Sequence, residues 1–340
     1  MIVDRATNNN IIISVDNLKI YFYTNQRCNK AVNGVSLKIK KGRTLCLVGE
    51  SGCGKSTTAL SIMRLLPKLS RIEEGKIIYH SNEGDIRIDQ LKKNGKKMRS
   101  LRGSDIAMIF QDPMIALNPV YTIGFQIIEN IRCHTNMTKK EAKQRAIELL
   151  KDTEIPLPEQ RINEYPHQYS GGMRQRAMIA MAMSCNPKIL IADEPTTSLD
   201  VTIQAQIFEL MKKLKEKREA SIMLITHDMG VVAELADDVV VMYMGNIVES
   251  GTLEEIFKSP AHPYTKALLK SIPVLGRGKN QEIEPIRGMT PDPFKRPKGC
   301  QFNPRCGYCT EKCFKMPNDF EVTDTHLVRC WYYKKVLGNG

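Results

Sequence analysis

No run of eighteen or more apolar residues occurs in the 340-residue chain, so no segment can cross a bilayer as a helix on its own. The start of the chain, residues 1–10, is polar and has no apolar h-region. No secretory signal is therefore expected, and the chain is expected to stay in the cytosol. That compartment turns the ten cysteines away from disulfides and toward metal ligation or plain packing. The net charge of +13 is compatible with nucleic acid, anionic lipid or a solvated surface. Its lysine runs at 38–41, 92–97 and 212–217 have no interleaved aromatic residues, so no nucleic-acid partner is expected. No internal repeat is visible, which excludes a solenoid. What is present is 42% hydrophobic residues, enough for the core of one large domain with an appendage, or of two domains.

The strongest local signal is Gly49-Glu50-Ser51-Gly52-Cys53-Gly54-Lys55-Ser56-Thr57, a complete G-x-x-x-x-G-K-[ST] phosphate loop. It follows the apolar run 44–48, which reads as a buried strand, and leads into residues 58–66, which have helical spacing and stop at Pro67. Strand, glycine loop and helix are the context the motif needs. The glycines let backbone N–H groups curl around phosphates, and the helix N-terminus adds partial positive charge. Lys55 is expected to reach the β- and γ-phosphates, and the Ser56 hydroxyl to ligate Mg²⁺. Cys53 sits at the same helix N-terminus, and on that ground a lowered thiol pKa is expected.

Residues 11–22 and 32–39 alternate as two strands of an antiparallel hairpin or sheet, with a polar loop at 24–30. Short strands are expected at 75–79 and 86–88, a frayed basic helix over 91–102, and a buried strand over 105–110. Helical spacing then takes over at 123–131, 139–151 and 171–183. Strands are expected again at 188–192, 221–226 and 238–243, with an amphipathic helix over 201–217 that carries Ile203, Ile207, Leu210 and Leu214 on one face. Strand–helix alternation of this kind implies a mostly parallel sheet. Beyond Gly251, Pro260, Pro263, Pro273, Pro285, Pro291, Pro293 and Pro297 crowd the chain, and five cysteines fall between Cys300 and Cys330.

The run Ile189-Leu190-Ile191-Ala192 ends in Asp193 and Glu194. A carboxylate at the end of a buried strand suits Mg²⁺, and its neighbour can orient or deprotonate an attacking water. Between the two motifs lies Tyr169-Ser170-Gly171-Gly172-Met173-Arg174-Gln175-Arg176. Here the chain resembles the ATP-binding cassette (ABC) family over roughly residues 11–255. Gln111 falls at that family's Q-loop, Ser198-Leu199-Asp200 at its D-loop and His227 at its switch histidine, all in the family's order. Tyr169 and Met173 depart from the usual Leu and Gln, but the Ser-Gly-Gly core is intact.

The resemblance implies an α/β fold: a P-loop NTPase (RecA-like) core with a mostly parallel sheet, an antiparallel β subdomain and a helical signature subdomain at about 113–184. It implies that Gly49, Ser51, Gly52, Cys53, Gly54, Lys55, Ser56 and Thr57 hold ATP, and that Ser56, Gln111 and Asp193 serve Mg²⁺. Glu194 is the implied catalytic base, His227 the implied contact to the γ-phosphate, and Gln111 the third implied catalytic residue. Phe22 is expected to stack on adenine, with Tyr23 as runner-up. Ser170, Gly171 and Gly172 would cap the nucleotide of a second cassette, so a partner cassette is required.

Ala261-His262-Pro263-Tyr264-Thr265-Lys266-Ala267-Leu268-Leu269 and the cysteine-bearing segment from Gly299 to Cys330 resemble the tail of oligopeptide, dipeptide and nickel importer ATPases, nearest the D-type subunit. The cassette is accordingly placed at 1–255 and a small Cys-rich extension at 256–340. On the residues alone, such a tail reads as a segment with little core held by a metal, zinc or iron–sulfur, and the compact spacing groups Cys306, Cys309 and Cys313. The resemblance instead implies a [4Fe–4S] cluster on Cys300, Cys306, Cys313 and Cys330. It also implies a homologous F-type ATPase partner, two membrane permease subunits and an extracytoplasmic substrate-binding protein. The place of work would be the cytoplasmic face of the membrane, as a peripheral, transport-coupled ATPase. The cargo would be peptides, with nickel or another small cargo, or a soluble non-transport ABC ATPase, as alternatives.

Overall fold

The computed structural model describes residues 10–24, 27–197, 199–271 and 286–338. Ser198 of the expected D-loop, Pro273 and Pro285 of the proline-rich tail and residues 1–9 lie outside the described residues.

In chain order the strands are β1 (Ile11–Thr24), β2 (Arg27–Lys40), β3 (Thr44–Val48), β4 (Ser70–Ser81), β5 (Gly84–Arg87), β6 (Ile106–Ile109), β7 (Ile189–Asp193), β8 (Ser221–Thr226), β9 (Asp238–Tyr243), β10 (Asn246–Thr252), β11 (Phe320–Glu321) and β12 (Leu327–Val328). The helices are α1 (Lys55–Ile62), α2 (Lys96–Ser104), α3 (Pro113–Ala116), α4 (Ile123–His134), α5 (Lys139–Asp152), α6 (Pro158–Arg161), α7 (Gly171–Ala182), α8 (Val201–Arg218), α9 (Met229–Leu235), α10 (Leu253–Lys258), α11 (Pro263–Lys270) and α12 (Tyr333–Val336). Two compact units result. One lies within Met1–Ile39, Thr44–Asp89 and Ile225–Gly340; the other comprises Lys40–Arg43 and Gln90–Leu224.

The first unit holds a four-stranded sheet in the order β2-β1-β4-β5, in which β4 runs antiparallel to both neighbours. Leu18 and Ile20 of β1 point into its core, while Lys19 on the opposite face pairs with Glu74 at 2.7 Å. Two expectations shift here. Residues 27–30, read as loop, open β2, because Lys30 is held over the Tyr21 ring at 5.4 Å. The strand read as ending at Ile88 stops at Arg87. There the Asp89 carboxylate accepts from the Ile77 amide and from Arg87, and residues 88–90 turn as a 3-10 helix. The same unit contains the strand order β11-β12-β10-β9-β3. β3 and β9 are parallel and almost wholly buried, as expected of strands covered on both faces. β10, β12 and β11 add an antiparallel edge built from residues beyond the expected last strand.

The second unit supplies β6 and β7, which pair in parallel from Ile106↔Ile189 to Ile109↔Ala192. Its helices start where the sequence offers caps: Thr122 on α4, Thr138 with Glu141 as a capping box on α5, Ser170 on α7 and Asp200 on α8. They enclose a core of Ile123, Ile127, Ile131, Leu149, Leu150, Ile162, Tyr169 and Ala177, among others. On α8, Ile207, Leu210 and Leu214 are buried as read, together with Phe208 and Met211. The basic helix begins at Lys96 rather than Leu91 and is broken at Arg102 and Gly103, where the backbone leaves helical angles.

The tail is anchored by one buried carboxylate. Glu249 on β10 accepts from the Ala261 amide (2.6 Å), the His262 amide (3.0 Å) and His326 Nε2 (2.7 Å). Glu249→Ala leaves those three donors buried without an acceptor, and should cost about 3 kcal/mol of stability. The check is the urea midpoint of the full chain, with Glu249→Gln expected to lose less because one oxygen remains.

Candidate nucleotide site

Strand β3 delivers the chain into the loop at Gly49. A Cβ there would lie 2.2 Å from the Met242 carbonyl, and φ of +150° is open only to glycine. Gly54, at φ +105°, caps α1 in the left-handed region, and a Cβ on it would meet the Ala31 carbonyl at 2.3 Å. Between these glycines the loop is tied to its neighbours. Gly245 N–H donates to the Cys53 carbonyl (2.8 Å), and Asn33 N–H to the Gly245 carbonyl (2.7 Å). Lys55 is almost fully buried, and its ammonium donates to the Gly49 (2.7 Å) and Glu50 (3.1 Å) carbonyls inside the loop. The amine is thus folded back onto the loop's own carbonyls.

The lowered pKa expected of Cys53 does not hold. Its side chain is buried, and loss of solvation pushes the thiol up; nearby Lys55 pulls it the other way without winning. Burial outweighs the helix N-terminus, so Cys53 is a packing residue of the loop.

Of the two adenine-stacking candidates, Phe22 is half-buried on β1, next to the buried Ile20 face of the strand. Tyr23 is exposed, donates its hydroxyl to Glu73 at 2.8 Å and lies under the Arg71 guanidinium at 5.7 Å. That hydrogen bond is the main cause pushing the Tyr23 phenol up to about 12. His227 follows β8 at an exposed position, and Asp228 beyond it caps α9 by accepting from the Gly230 amide.

In the second unit, β7 ends in buried Asp193, and the chain turns at Glu194 with φ +45°, a left-handed conformation that is strained for a side chain with a Cβ. The turn is fastened at the carboxylate: Gln111 Nε2 donates to Glu194 Oε2 at 3.2 Å and Thr197 Oγ1 at 3.1 Å. Gln111 and Glu194 therefore meet, a contact that the sequence reading did not specify. Asp200 accepts from Ile203 N–H (2.9 Å), and Gln204 Nε2 donates to the Thr196 and Leu199 carbonyls, which fixes the segment after Glu194. The signature lies against it, because a Cβ on Gly172 would sit 3.1 Å from Ile203. Ser170 caps α7 by accepting from the Met173 amide, and both Ser170 and Gly171 face solvent. Tyr169, the departure from Leu, is buried in the helical core and donates its hydroxyl to the Arg161 carbonyl at 2.9 Å. The substitution keeps the core filled and leaves the Ser-Gly-Gly backbone in place.

Two residues that contact the loop, and a third that caps the helix carrying one of them, escaped the sequence. Tyr264 Oη accepts from the Glu50 amide at 2.9 Å, and Arg305 forks onto the Glu50 carboxylate at 2.7 and 3.1 Å. His262 caps α11, accepting from the Tyr264 amide at Nδ1, and burial pushes its pKa down to about 3, so it is a neutral acceptor at physiological pH. The His-Pro-Tyr run was visible in the sequence as a marker; its chemistry, a cap, a helix-starting proline and a hydroxyl under the loop, was not.

The tail cysteines are all free thiols. Among the described residues, no three or more His, Cys, Asp or Glu side chains are grouped so as to hold a metal ion. The thiols of Cys300, Cys306 and Cys313 nevertheless lie close enough to Cys330 to raise its pKa electrostatically, after burial, to about 12. Cys300 is half-buried, and loss of solvation, with Cys306 and Cys313 adding to it, pushes its thiol up to about 11. Cys309 is exposed, and apart from burial its pKa is raised by Cys313 alone. Amide-to-sulfur hydrogen bonds reach Cys306 from Tyr308 and Cys330 from Tyr332, each at 3.4 Å.

Residues 32–197 match the ABC transporter family, and residues 248–313 match the oligopeptide/dipeptide transporter C-terminal region. The chain is 48% identical to the dipeptide transport ATP-binding protein DppD of Haemophilus influenzae, covering 94% of each chain. It is 49% identical to the oligopeptide transport ATP-binding protein AppD of Bacillus subtilis, over 95% of this chain and 97% of that one. A dimeric bacterial ABC transporter cassette superposes with a TM-score of 0.63 at 29% identity, over 71% of this chain and 99% of the other. Fold and loop together define a P-loop ATPase of the cassette type. The chain belongs to the ABC transporter family, among its ATP-binding proteins that carry the oligopeptide/dipeptide C-terminal region, and ATP hydrolysis is its reaction.

Glu194→Gln keeps the hydrogen bonds of the turn but removes the basic carboxylate. It should bind ATP as the native chain does, while kcat falls by about a hundredfold or more and the closed dimer accumulates on size exclusion with ATP. Normal turnover would take the role of base away from Glu194.

Proposed function

We propose that this chain is the ATP-hydrolysing subunit that powers import of peptides across the cytoplasmic membrane, as part of a multisubunit ABC transporter. The observation that carries the reading is the length of the match to proteins named for dipeptide and oligopeptide transport: 94% or more of both chains, tail included. Residues 1–255 form the cassette, with the helical part at about 113–184, and residues 256–340 the extension. Lys55 and the loop amides hold the phosphates, Ser56, Asp193 and Gln111 serve Mg²⁺, and Phe22 stacks on adenine. Glu194 takes a proton from the attacking water, and His227 contacts the γ-phosphate. Ser170 and Gly172 cap ATP held by a second cassette, a homologous F-type chain; the solvent exposure of Ser170 and Gly171 is what that role needs.

No helix among the described residues is long and apolar enough to cross a membrane, so passage of the cargo falls to two permease subunits, fed by an extracytoplasmic binding protein. The chain works at the cytoplasmic face. Its contact with the permease is the apolar surface just after Gln111: Met114, Ile115, Val120, Tyr121 and Phe125 are all exposed, and Tyr121 stacks on Phe125 at 4.6 Å. That much exposed apolar area on one short segment calls for a partner. Because Gln111 also bonds Glu194, a push on this surface is felt at the catalytic turn. Ile115→Asp with Phe125→Asp should abolish co-purification of the permease from detergent extract while ATP binding by the chain persists. Permease recovered in full would overturn this surface.

The extension holds a [4Fe–4S] cluster on Cys300, Cys306, Cys313 and Cys330. Support comes from the electrostatic influence of Cys300, Cys306 and Cys313 on Cys330 and from the burial of Cys313 and Cys330, whereas Cys309 is exposed. A cationic core would draw off thiol protons that burial otherwise retains, and would fasten a lobe with a small core of its own. Anaerobically purified protein should contain about four iron and four sulfide per chain, as the cluster requires, with Cys309→Ala leaving the content unchanged and Cys300→Ala removing it. A colourless protein carrying zinc would replace the cluster with a zinc site.

A further inference from the structure

The phosphate loop carries a carboxylate of its own. Glu50 is the residue after Gly49, and a negative charge beside the seat of a triphosphate should repel it. In this chain the charge is answered from 255 residues away. Arg305, whose side chain is almost entirely buried, places Nη1 2.7 Å from Glu50 Oε2 and Nη2 3.1 Å from Oε1. The guanidinium is held in turn. Its Nε donates to the Arg287 carbonyl at 2.9 Å, Nη1 also reaches Tyr243 Oη at 3.3 Å, and its plane lies 5.8 Å from Phe302 and 5.9 Å from Tyr243. Thr290 adds a hydroxyl to the same carboxylate at 3.3 Å.

Glu50 is therefore held at three points: its amide by Tyr264, its carbonyl by Lys55 and its carboxylate by Arg305. Two of the three come from the extension. We infer that Arg305 is a positioning residue for ATP binding. It neutralises the Glu50 carboxylate and fixes the loop's first turn, so that the C-terminal extension sets the affinity of the cassette for nucleotide. The inference rests on residues 49–57 being the phosphate loop. It assigns the extension a role in the nucleotide cycle in addition to whatever it contributes to assembly. The pair is well suited to this, since a bidentate arginine–carboxylate contact holds both charge and direction, and burial limits screening by solvent.

The test uses the full chain assembled with its partner subunits, with ATP affinity read by displacement of a fluorescent ATP analogue and KM and kcat measured separately. Arg305→Met keeps bulk against the Phe302 and Tyr243 rings but bares the Glu50 charge. It should raise the ATP Kd and KM roughly tenfold at low salt, the scale of one partly screened charge interaction. The defect should shrink at high salt and leave kcat close to its native value. Glu50→Gln alone should bind ATP at least as tightly as the native chain. The double variant Glu50→Gln, Arg305→Met should recover most of the lost affinity, because no bare carboxylate remains. An Arg305→Met affinity equal to native, or a double variant as weak as the single one, would overturn the inference; the latter would mean that Arg305 acts by packing alone. Native protein and a Lys55→Ala control are measured alongside. Binding by native protein that is lost in the control keeps the loop assignment independent of the outcome for Arg305.

Discussion

A phosphate-binding loop has to be rich in glycine to turn its amides inward, and a segment that rich in glycine has no conformation of its own to keep. Everything around residues 49–57 answers that constraint. The Met242 carbonyl closes on Gly49 and the Ala31 carbonyl on Gly54, so the two glycines that must be free to turn are also the two that nothing larger could replace. Gly245 bonds the Cys53 carbonyl, and Tyr264 bonds the Glu50 amide. β2, the β9–β10 turn and α11 thus converge on one loop, although they come from three distant parts of the chain. A loop that its neighbours already order has met the entropic cost of ordering, which would otherwise be subtracted from the free energy of binding.

The strained turn at Glu194 obeys the same logic in the second unit. A glutamate at φ +45° is unfavourable by itself and persists only if its surroundings hold it. Here the carboxylate is hydrogen-bonded to Gln111 and Thr197, and the following segment is fixed through Asp200 and Gln204. The side chain that would act on water is therefore also the handle by which the segment after β6 is attached.

Much of this was legible in the sequence, for reasons that are local. Apolar runs at 44–48, 189–192 and 221–226 are buried on every residue, and a short uninterrupted apolar run has little else to become. Helices with Thr138 and Glu141, or with Asp200, announce their own first turns. What the sequence hid is what depends on partners far along the chain. Residues 27–30 look like loop until Lys30 is seen over Tyr21, and β10 to β12 are too short or too polar to be recognised without the strands they join. Cys53 shows the limit most plainly. Its position at a helix start pointed to a lowered pKa, but the degree of burial decides the sign, and burial is a property of the whole fold.

The extension raises the question of how a segment with so little apolar core stays ordered at all. Among the described residues, one small cluster is built from Ala261, Val328 and Cys330, with half-buried Phe320, Val322, Tyr332, Tyr333 and Leu337 around them. Such a core is far below what a segment of this length needs to fold alone. It is instead fastened to the rest of the first unit at separate places: the β10–β12 ladder, the Glu249 carboxylate with its three donors, and the rings of Tyr243, Tyr264 and His262, each packed within 6 Å of Phe302. Two of these, β12 and the aromatic cluster, flank the cysteines directly, since Phe302 lies between Cys300 and Cys306 and β12 ends two residues before Cys330. Phe302 in turn carries the Arg305 guanidinium on its face. The aromatic cluster thus joins the segment that carries Cys300 and Cys306 to β9 and α11, and a lobe with so small a core of its own is ordered by what it is packed against.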